Sequence, residues 1–244
     1  MKLLRFLYSG LVSILPLLFL VNCAAVATRT AQTAPSPVIQ TPAQKSSPES
    51  DAIDRPTSAP YTGDLSIFED PKREQKLQVN RVMDILGIKE GTSVADIGAG
   101  SGWFTVRAAR RVGTSGTVYA VDINRDYLKH IEERAAQEHL PNIRTVLGRE
   151  DDPLLSPESV DAVLILKTYH EIGQPIRLLK HLRQAMRPGA RLGIIDRNGN
   201  GEDHGINRSV VIKEAERSGF VLAEQYDFVK PDGMDYFLVF RARS

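Results

Sequence analysis

The most informative stretch of this chain is VADIGAGSG, residues 94–102, which is followed at once by Trp103. Its apolar beginning predicts a short buried strand, and its alternating glycines predict a tight turn into a helix that starts near Trp103. Glycine at every second position is typical of a backbone that passes close to a bound ligand, because a larger side chain would block the approach. The residues expected to line the ligand are Gly98, Ala99, Gly100 and Gly102.

A second apolar stretch, VYAV at residues 118–121, ends in Asp122. The carboxyl ends of neighbouring parallel strands meet at one edge of a sheet. An acid at this strand tip is therefore placed beside the glycine turn, where it can accept hydrogen bonds from the two hydroxyls of a ribose. The two features predict a ligand that contains a nucleoside.

The spacing of the glycines distinguishes between classes of nucleoside ligand. A dinucleotide site needs a third glycine where this chain has Trp103, so an oxidoreductase that uses a dinucleotide is disfavoured. The pattern Asp-x-Gly-x-Gly-x-Gly at residues 96–102 instead resembles motif I of the class I S-adenosylmethionine-dependent methyltransferases. That cofactor carries an amino acid end, a ribose and an adenine, and it has no phosphate.

The resemblance covers roughly the last three quarters of the chain, by the usual element spacings of a doubly wound sheet. Asp122 matches the family's acid after the second strand, and DAVLIL at 161–166 matches the fourth strand. The turn RPGARL at 187–192 matches the opening of the fifth strand, which Asp196 closes, and SGF at 218–220 precedes a final hairpin. The resemblance implies an α/β, doubly wound, Rossmann-like methyltransferase fold. Its seven-stranded, mainly parallel sheet has the order 3-2-1-4-5-7-6, with strand seven antiparallel.

Hydrophobic periodicity predicts the elements along the chain. The predicted strands are 93–97, 117–121, 143–147, 162–166, 191–195, 221–227 and 235–240. The predicted helices are 70–86, 102–111, 126–138, a helix through residues 176–186, and 210–217.

The resemblance also implies roles at the cofactor site. Asp96 is expected to orient the turn or to reach the amino group of the cofactor, Asp122 to hold the ribose, and Ile123 to pack on the adenine. Many family members carry an aspartate after the third strand to bond the adenine amino group, but this chain has Arg149 there. Glu150, Asp151 or a backbone group is expected to take that role, and a plain acidic surface loop is the alternative.

The segment after the fourth strand, KTYHE at 167–171, lies where the family places residues that face the transferred methyl group. His170 is predicted as a general base, with a packing role as its alternative. Tyr169 is predicted to wall the pocket, and Glu171 is the third catalytic candidate. His204, in the glycine-rich loop 198–207, suggests either a lid or a plain flexible loop. No metal is expected, because the spacing of His170, Glu171 and His204 matches no standard ligand pattern and the domain has no cysteine.

These features predict a methyltransferase that moves the methyl group of S-adenosylmethionine to an acceptor that the sequence does not identify. The acceptor can be a small molecule, a lipid or a protein, whereas the formal net charge of +1 gives no reason to expect nucleic acid. The alternative is an exported, non-catalytic protein that binds a nucleoside or S-adenosylmethionine.

The front of the chain differs in character from the rest. Residues 1–23 predict a signal peptide or anchor, with Lys2 and Arg5 before an apolar run that ends beside Cys23. LVNC at 20–23 resembles a bacterial lipobox, in which the cysteine is lipidated; cleavage after Ala25 or Ala27, or an uncleaved anchor, are the alternatives.

Each of these alternatives predicts an exported protein of the periplasm or cell envelope. Residues 24–60, rich in Pro, Ser, Thr and Ala, predict a disordered linker, and residues 61–244 the methyltransferase domain.

Overall fold

The computed structural model describes residues 50–53 and 55–243. In chain order the regular elements are a 3₁₀ turn (Leu65–Phe68), α1 (Arg73–Leu77), α2 (Val79–Leu86), β1 (Ser93–Ile97), α3 (Trp103–Val112), β2 (Thr117–Asp122), α4 (Arg125–Gln137), β3 (Ile143–Leu147), β4 (Val160–Leu166), a 3₁₀ turn (Tyr169–Glu171), α5 (Pro175–Ala185), β5 (Met186–Arg197), α6 (Arg208–Arg217), β6 (Phe220–Tyr226) and β7 (Asp235–Ala242). The predicted strands are all present, and so are the predicted helices apart from 70–86; most ends lie within two residues of the expectation, and β5 starts earlier than predicted.

The seven strands form one sheet in the order β3-β2-β1-β4-β5-β7-β6. Strand β7 runs antiparallel to both of its neighbours, and the pairs on the other side of β5 are parallel. The predicted fold class and strand order are therefore confirmed. In the register of β1 with β2, Ile97 pairs with Val121, so the glycine turn and Asp122 follow at the same edge of the sheet.

The core lies on both faces of the sheet. Val94 of β1 packs into one cluster with side chains from α2 and α3, whereas Ala95 and Ile97 pack into the other with α5 and α6. Successive side chains of a strand point to opposite faces, and both faces are covered by helices. This explains why the central strands are apolar at consecutive positions rather than at alternating ones.

The prediction of one continuous helix over residues 70–86 was wrong. It is divided into α1 and α2 at Gln78, whose backbone is left-handed with φ 51° and ψ 49°. The break allows Leu77 and Val79, on either side of it, both to be buried. Gly87, with φ 75°, ends α2 where the sequence predicted a stop.

The predicted boundary at residue 61 also differs from the structure. Residues 55–62, called the strap below, lie against the domain. Arg55 forms an ion pair with Glu214 of α6 at 2.7 Å, and the Tyr127 hydroxyl of α4 donates to the Tyr61 carbonyl at 2.9 Å. The composition of this segment predicted disorder because it has few large apolar residues. The strap is instead held by ion pairs and hydrogen bonds.

The predicted signal peptide and residues 24–49 of the predicted linker lie outside the described residues. Within residues 50–53 and 55–243, no helix is both long enough and apolar enough to span a membrane.

Candidate functional site

A cavity of about 780 Å³ opens at the carboxyl ends of the central strands. Its floor is the turn after β1, its sides are the loops after β2, β3 and β4, and residues 57–62 of the strap border it. This is the edge at which open parallel sheets bind ligands, and the volume lies in the range of small-molecule sites.

The glycine turn shapes the floor of this cavity. Gly98 and Gly100 have φ values of 70° and 53°, which side-chain-bearing residues rarely adopt. A Cβ on Gly98 would lie 2.3 Å from Cγ2 of Thr168, whereas a Cβ on Gly100 would meet nothing within 4 Å. Gly98 borders the cavity as predicted, but its missing side chain makes room for Thr168. Gly100 also borders the cavity, and it is the position that faces open space. Gly102 does not border the cavity, and a Cβ there would lie 2.9 Å from Cγ1 of Ile131, so the structure does not place Gly102 against the ligand as the sequence predicted.

Asp122 links the second strand to the glycine turn. One of its carboxylate oxygens accepts the backbone N–H of Gly100, and the other accepts that of Asn124, both at 2.9 Å. Each oxygen retains a second lone pair, so the two hydroxyls of a ribose still find acceptors. Burial raises the pKa of Asp122, and the donated backbone hydrogen bonds oppose that rise.

Asp96 lies buried at the end of β1, where it accepts a hydrogen bond from the Thr105 hydroxyl at 2.6 Å. Burial raises the pKa of its carboxyl from 3.8 to about 6. The hydrogen bond from Thr105 connects Asp96 to α3 and not to the glycine turn, and Asp96 also borders the cavity. A contact of Asp96 with the amino group of the cofactor stays a prediction.

Arg73 is a cavity residue that the sequence analysis missed. Its guanidinium lies over the Trp103 ring at 4.4 Å and donates to the Phe68 carbonyl at 2.9 Å. Burial lowers the pKa of Arg73, and the nearby carboxylates of Asp96 and Glu69 oppose that change. A guanidinium beside a carboxylate can recognise the two charged groups of an amino acid. No sequence pattern around α1 indicated this position.

Trp103 itself is buried under two guanidinium groups, those of Arg73 and Arg107, at 4.4 and 4.0 Å from the ring centre. The dinucleotide fingerprint has a glycine at this position so that the helix packs closely on the strand, whereas this chain has a buried indole ring there. The expectation against a dinucleotide stays a prediction.

The far wall of the cavity contains Ile123, whose side chain is 46% exposed, together with Arg149 and Glu150. Asp151 does not border the cavity; its carboxylate accepts from Arg177 at 3.3 Å. Of the two acids predicted for the adenine contact, only Glu150 is therefore in position.

Of the three predicted catalytic residues, the structure places only one at the cavity. Glu171 borders the cavity, and burial raises its pKa. Tyr169 does not wall the cavity: its ring is fully buried and its hydroxyl donates to Glu214 at 2.8 Å. His170 is also buried, and its side chain contacts Asp196 rather than the cavity. The 3₁₀ turn rotates consecutive residues by about a third of a turn each, so only one of the three faces the ligand side.

The fold brings together residues whose spacing predicted no metal site. Ligand atoms of His170, Glu171 and His204 all lie within 4.8 Å of one another. Asp196 was noted in the sequence only as the end of strand five. Its position at the carboxyl end of a strand was the signal that it belongs to this edge of the sheet.

The cavity residues fit S-adenosylmethionine. Arg73 and Asp96 complement a carboxylate and an amino group, Asp122 has free lone pairs for a ribose, and Gly100 leaves open space above the turn. Ile123 provides an exposed apolar surface for a base.

Sequence comparison points to the same family. A family described as "Methyltransferase domain" matches residues 94–189. The chain is 31% identical over 152 residues to a 2-phytyl-1,4-naphtoquinone methyltransferase from Trichormus variabilis, a match that covers 59% of this chain and 66% of the relative. It is 24% identical to a demethylmenaquinone methyltransferase from Listeria monocytogenes, over 47% of this chain and 48% of the relative. The chain thus spans about half to two thirds of these relatives.

Solved structures share the fold. A SAM-dependent methyltransferase from Aquifex aeolicus superimposes with a TM-score of 0.66 at 24% identity, covering 73% of this chain and 98% of that one. A [4+2]-cyclase, SpnF, superimposes with a TM-score of 0.59 at 13% identity, covering 79% and 88%. The strand order, the glycine turn with Asp122 and the family match place this chain in the class I S-adenosylmethionine-dependent methyltransferase family.

Proposed function

We propose that this protein transfers the methyl group of S-adenosylmethionine to a small acceptor that enters the cavity beside the strap. The observation that carries the proposal is the continuous cavity, which runs from the glycine turn and Asp122 to Glu171 and residues 57–62. The cofactor end is provided by Arg73, Asp96, Gly100 and Asp122, and the acceptor end by Glu171 and the strap.

When bound, the cofactor supplies a sulfonium methyl group that is already activated for displacement. The main task of the protein is therefore alignment and the exclusion of water. Asp122 and the Gly100 backbone hold the cofactor end, and residues 57–62 of the strap form part of the cavity wall. Glu171, the predicted catalytic residue that borders the cavity, accepts a hydrogen bond from an acceptor group and orients it.

We propose an acceptor with an aromatic or quinoid ring. The support is twofold: relatives of this chain are named as naphtoquinone and demethylmenaquinone methyltransferases, and the acceptor end carries aromatic side chains. Tyr61 and Tyr127 both border the cavity, as does Ile172, and the two tyrosines are joined by the hydrogen bond from the Tyr127 hydroxyl to the Tyr61 carbonyl. Aromatic walls favour a flat ring.

Binding of the cofactor is tested by calorimetry with S-adenosylmethionine and S-adenosylhomocysteine on the full chain. We expect Asp122→Ala to weaken binding at least 10-fold, because the ribose loses its acceptor and Gly100 its partner. The matched control is Asp126→Ala, an exposed acid four residues further on, which should leave the affinity within 2-fold. Folded protein that binds neither compound would remove the proposal.

Methyl transfer is tested separately, with labelled cofactor, a demethylated naphthoquinone and fractionated envelope extract as acceptors. The Asp122→Ala protein is the blank. Label that enters the quinone supports the acceptor class, and label that enters only other components rejects it while supporting the enzyme.

One observation supports the second candidate function, which is ligand binding without catalysis by an exported protein. The fold is shared with a protein named as a [4+2]-cyclase, so the fold by itself does not require methyl transfer. Binding of the cofactor without transfer to any acceptor would favour this candidate.

We further propose that the protein is exported and held at the cell envelope through residues 1–23. The support is the sequence itself: Lys2 and Arg5, the apolar run after them, and Cys23 in a lipobox-like context. A membrane-associated enzyme would have access to lipid-soluble acceptors.

A further inference from the structure

We propose that His170, Glu171 and His204 bind a divalent transition-metal ion at the edge of the cavity. Two imidazoles and one carboxylate form a known ligand set for first-row transition metals. One ligand atom from each residue lies within 4.8 Å of the others. The three residues come from the 3₁₀ turn after β4 and from the loop after β5, so only the fold brings them together.

His170 is oriented for this role by Asp196. Its ring Nδ1 lies 2.9 and 3.1 Å from the two carboxylate oxygens of Asp196, a residue that is fully buried. Asp196 also accepts the backbone N–H of His170 at 3.0 Å. A carboxylate that accepts the N–H of one ring nitrogen fixes the tautomer, so the other nitrogen keeps a free lone pair. Metal-binding histidines usually have such a carboxylate as their second partner.

The free nitrogen of His170 faces the second proposed ligand. Nε2 lies 3.8 Å from Oε1 of Glu171 and makes no hydrogen bond to any of the described residues. A contact of this length is too long for a hydrogen bond, so the two groups lie side by side without satisfying each other. A metal ion between them would use both lone pairs.

His204 lies on the loop after β5, which is hydrogen-bonded to the strap. Its backbone N–H donates to Oγ of Ser58 at 3.2 Å, and that hydroxyl donates to the Gly201 carbonyl at 2.9 Å. The His204 ring is exposed and lies edge-on to the His170 ring, with centroids 5.8 Å apart. The backbone of His204 is therefore held in place while its side chain can rotate.

The distances are compatible with coordination after a small movement. Zinc–nitrogen bonds of about 2.0–2.1 Å in a tetrahedral site place two ligand atoms about 3.4 Å apart. The three ligand atoms now lie within 4.8 Å of one another, so coordination needs a shift of at most about 1.5 Å, which rotation of the exposed His204 ring can provide.

Three protein ligands leave at least one coordination position for water or another oxygen. Because Glu171 and Ser58 both border the cavity, this position belongs to its acceptor end. At this open position the ion would bind an oxygen of the methyl acceptor, and only this consequence rests on the proposed function. Metal binding itself does not depend on methyl transfer.

The test is a titration of metal-stripped full chain with Co²⁺, followed by its visible absorption, and with Zn²⁺, followed by calorimetry, without S-adenosylmethionine. Every protein carries Cys23→Ser, which removes the one thiol of the chain. We expect one ion per chain. We expect His204→Ala and Glu171→Gln each to weaken binding at least 10-fold, and Asp196→Asn to weaken it about 10–100-fold through its effect on His170.

The matched control is His130→Ala, which removes an exposed histidine of α4 and should leave the affinity unchanged. The test does not depend on a core variant that fails to fold, because the His204 side chain is exposed. Equal affinity of wild type, His204→Ala and Glu171→Gln would overturn the proposal. So would folded wild type that takes up no ion, whatever its methyl-transfer activity.

Discussion

At the scale of single residues, the site depends on carboxyl groups that serve the fold and the ligand together. Asp122 accepts two backbone N–H groups and still has lone pairs for a ribose, and Asp96 holds Thr105 while it borders the cavity. Such dual use explains why acids are tolerated at the ends of buried strands. Changes at these positions will therefore alter both stability and binding.

The first prediction concerns Asp96 and pH. Its pKa is raised from 3.8 to about 6, so between these values the folded protein binds more protons than the unfolded chain. The contribution of Asp96 to the free energy of unfolding therefore falls as pH rises from about 4 to about 6, by at most about 3 kcal/mol. Asp96→Asn removes this contribution. Urea unfolding of both proteins across this range measures it, and parallel pH profiles would contradict the shift.

The second prediction concerns Arg73. Arg73→Met removes the guanidinium beside Asp96, and we expect S-adenosylmethionine to bind about 10–100-fold more weakly, as for a lost charge-assisted hydrogen bond. Adenosine lacks the amino acid end and should bind wild type and variant alike. The control is Arg81→Met, which removes an exposed guanidinium that lies 3.9 Å from the centre of the Phe228 ring, away from the cavity. Equal loss for both ligands would show that Arg73 acts only through the fold.

At the scale of elements, the strap joins parts of the molecule that the sheet alone does not connect. Arg55 pairs with Glu214 of α6, Ser58 bonds the loop after β5, and Tyr61 accepts from α4. The Arg55–Glu214 pair is nearly buried, and the hydroxyl of Tyr169 shares the Glu214 carboxylate. This network also explains why the Tyr169 ring faces the core and not the cavity.

The third prediction tests this network. Arg55→Met leaves Glu214 buried without its cation, and we expect a loss of about 3–5 kcal/mol in the free energy of unfolding. Adding Glu214→Gln, which keeps an acceptor for Tyr169, should recover part of that loss. The control is Lys76→Met, which breaks an exposed pair with Asp70 and should cost at most about 1 kcal/mol. Similar losses for the two single variants would mean that the strap is weakly held.

At the scale of the whole molecule, the chain combines a folded domain with a front segment of different composition. The proposed lipid anchor at Cys23 gives the fourth prediction. In a bacterial host, wild type should incorporate labelled palmitate and remain with membranes, whereas Cys23→Ser should lose the label. Wild type that is soluble and unlabelled would favour cleavage after Ala25 or Ala27. Wild type that is unlabelled but bound to membranes would favour an uncleaved anchor.

The sequence by itself determined the strands, most of the helices and the position of Asp122, because apolar periodicity, the glycine turn and the spacing between elements are readable along the chain. The order of the strands came from the resemblance to the methyltransferase family, and the structure confirmed it. Only the tertiary structure decided that Arg73 borders the cavity, that His170 faces Asp196, and that the strap reaches His204 and Glu214. Those contacts join polar residues far apart in sequence, and a polar contact has no periodicity by which its partner can be recognised.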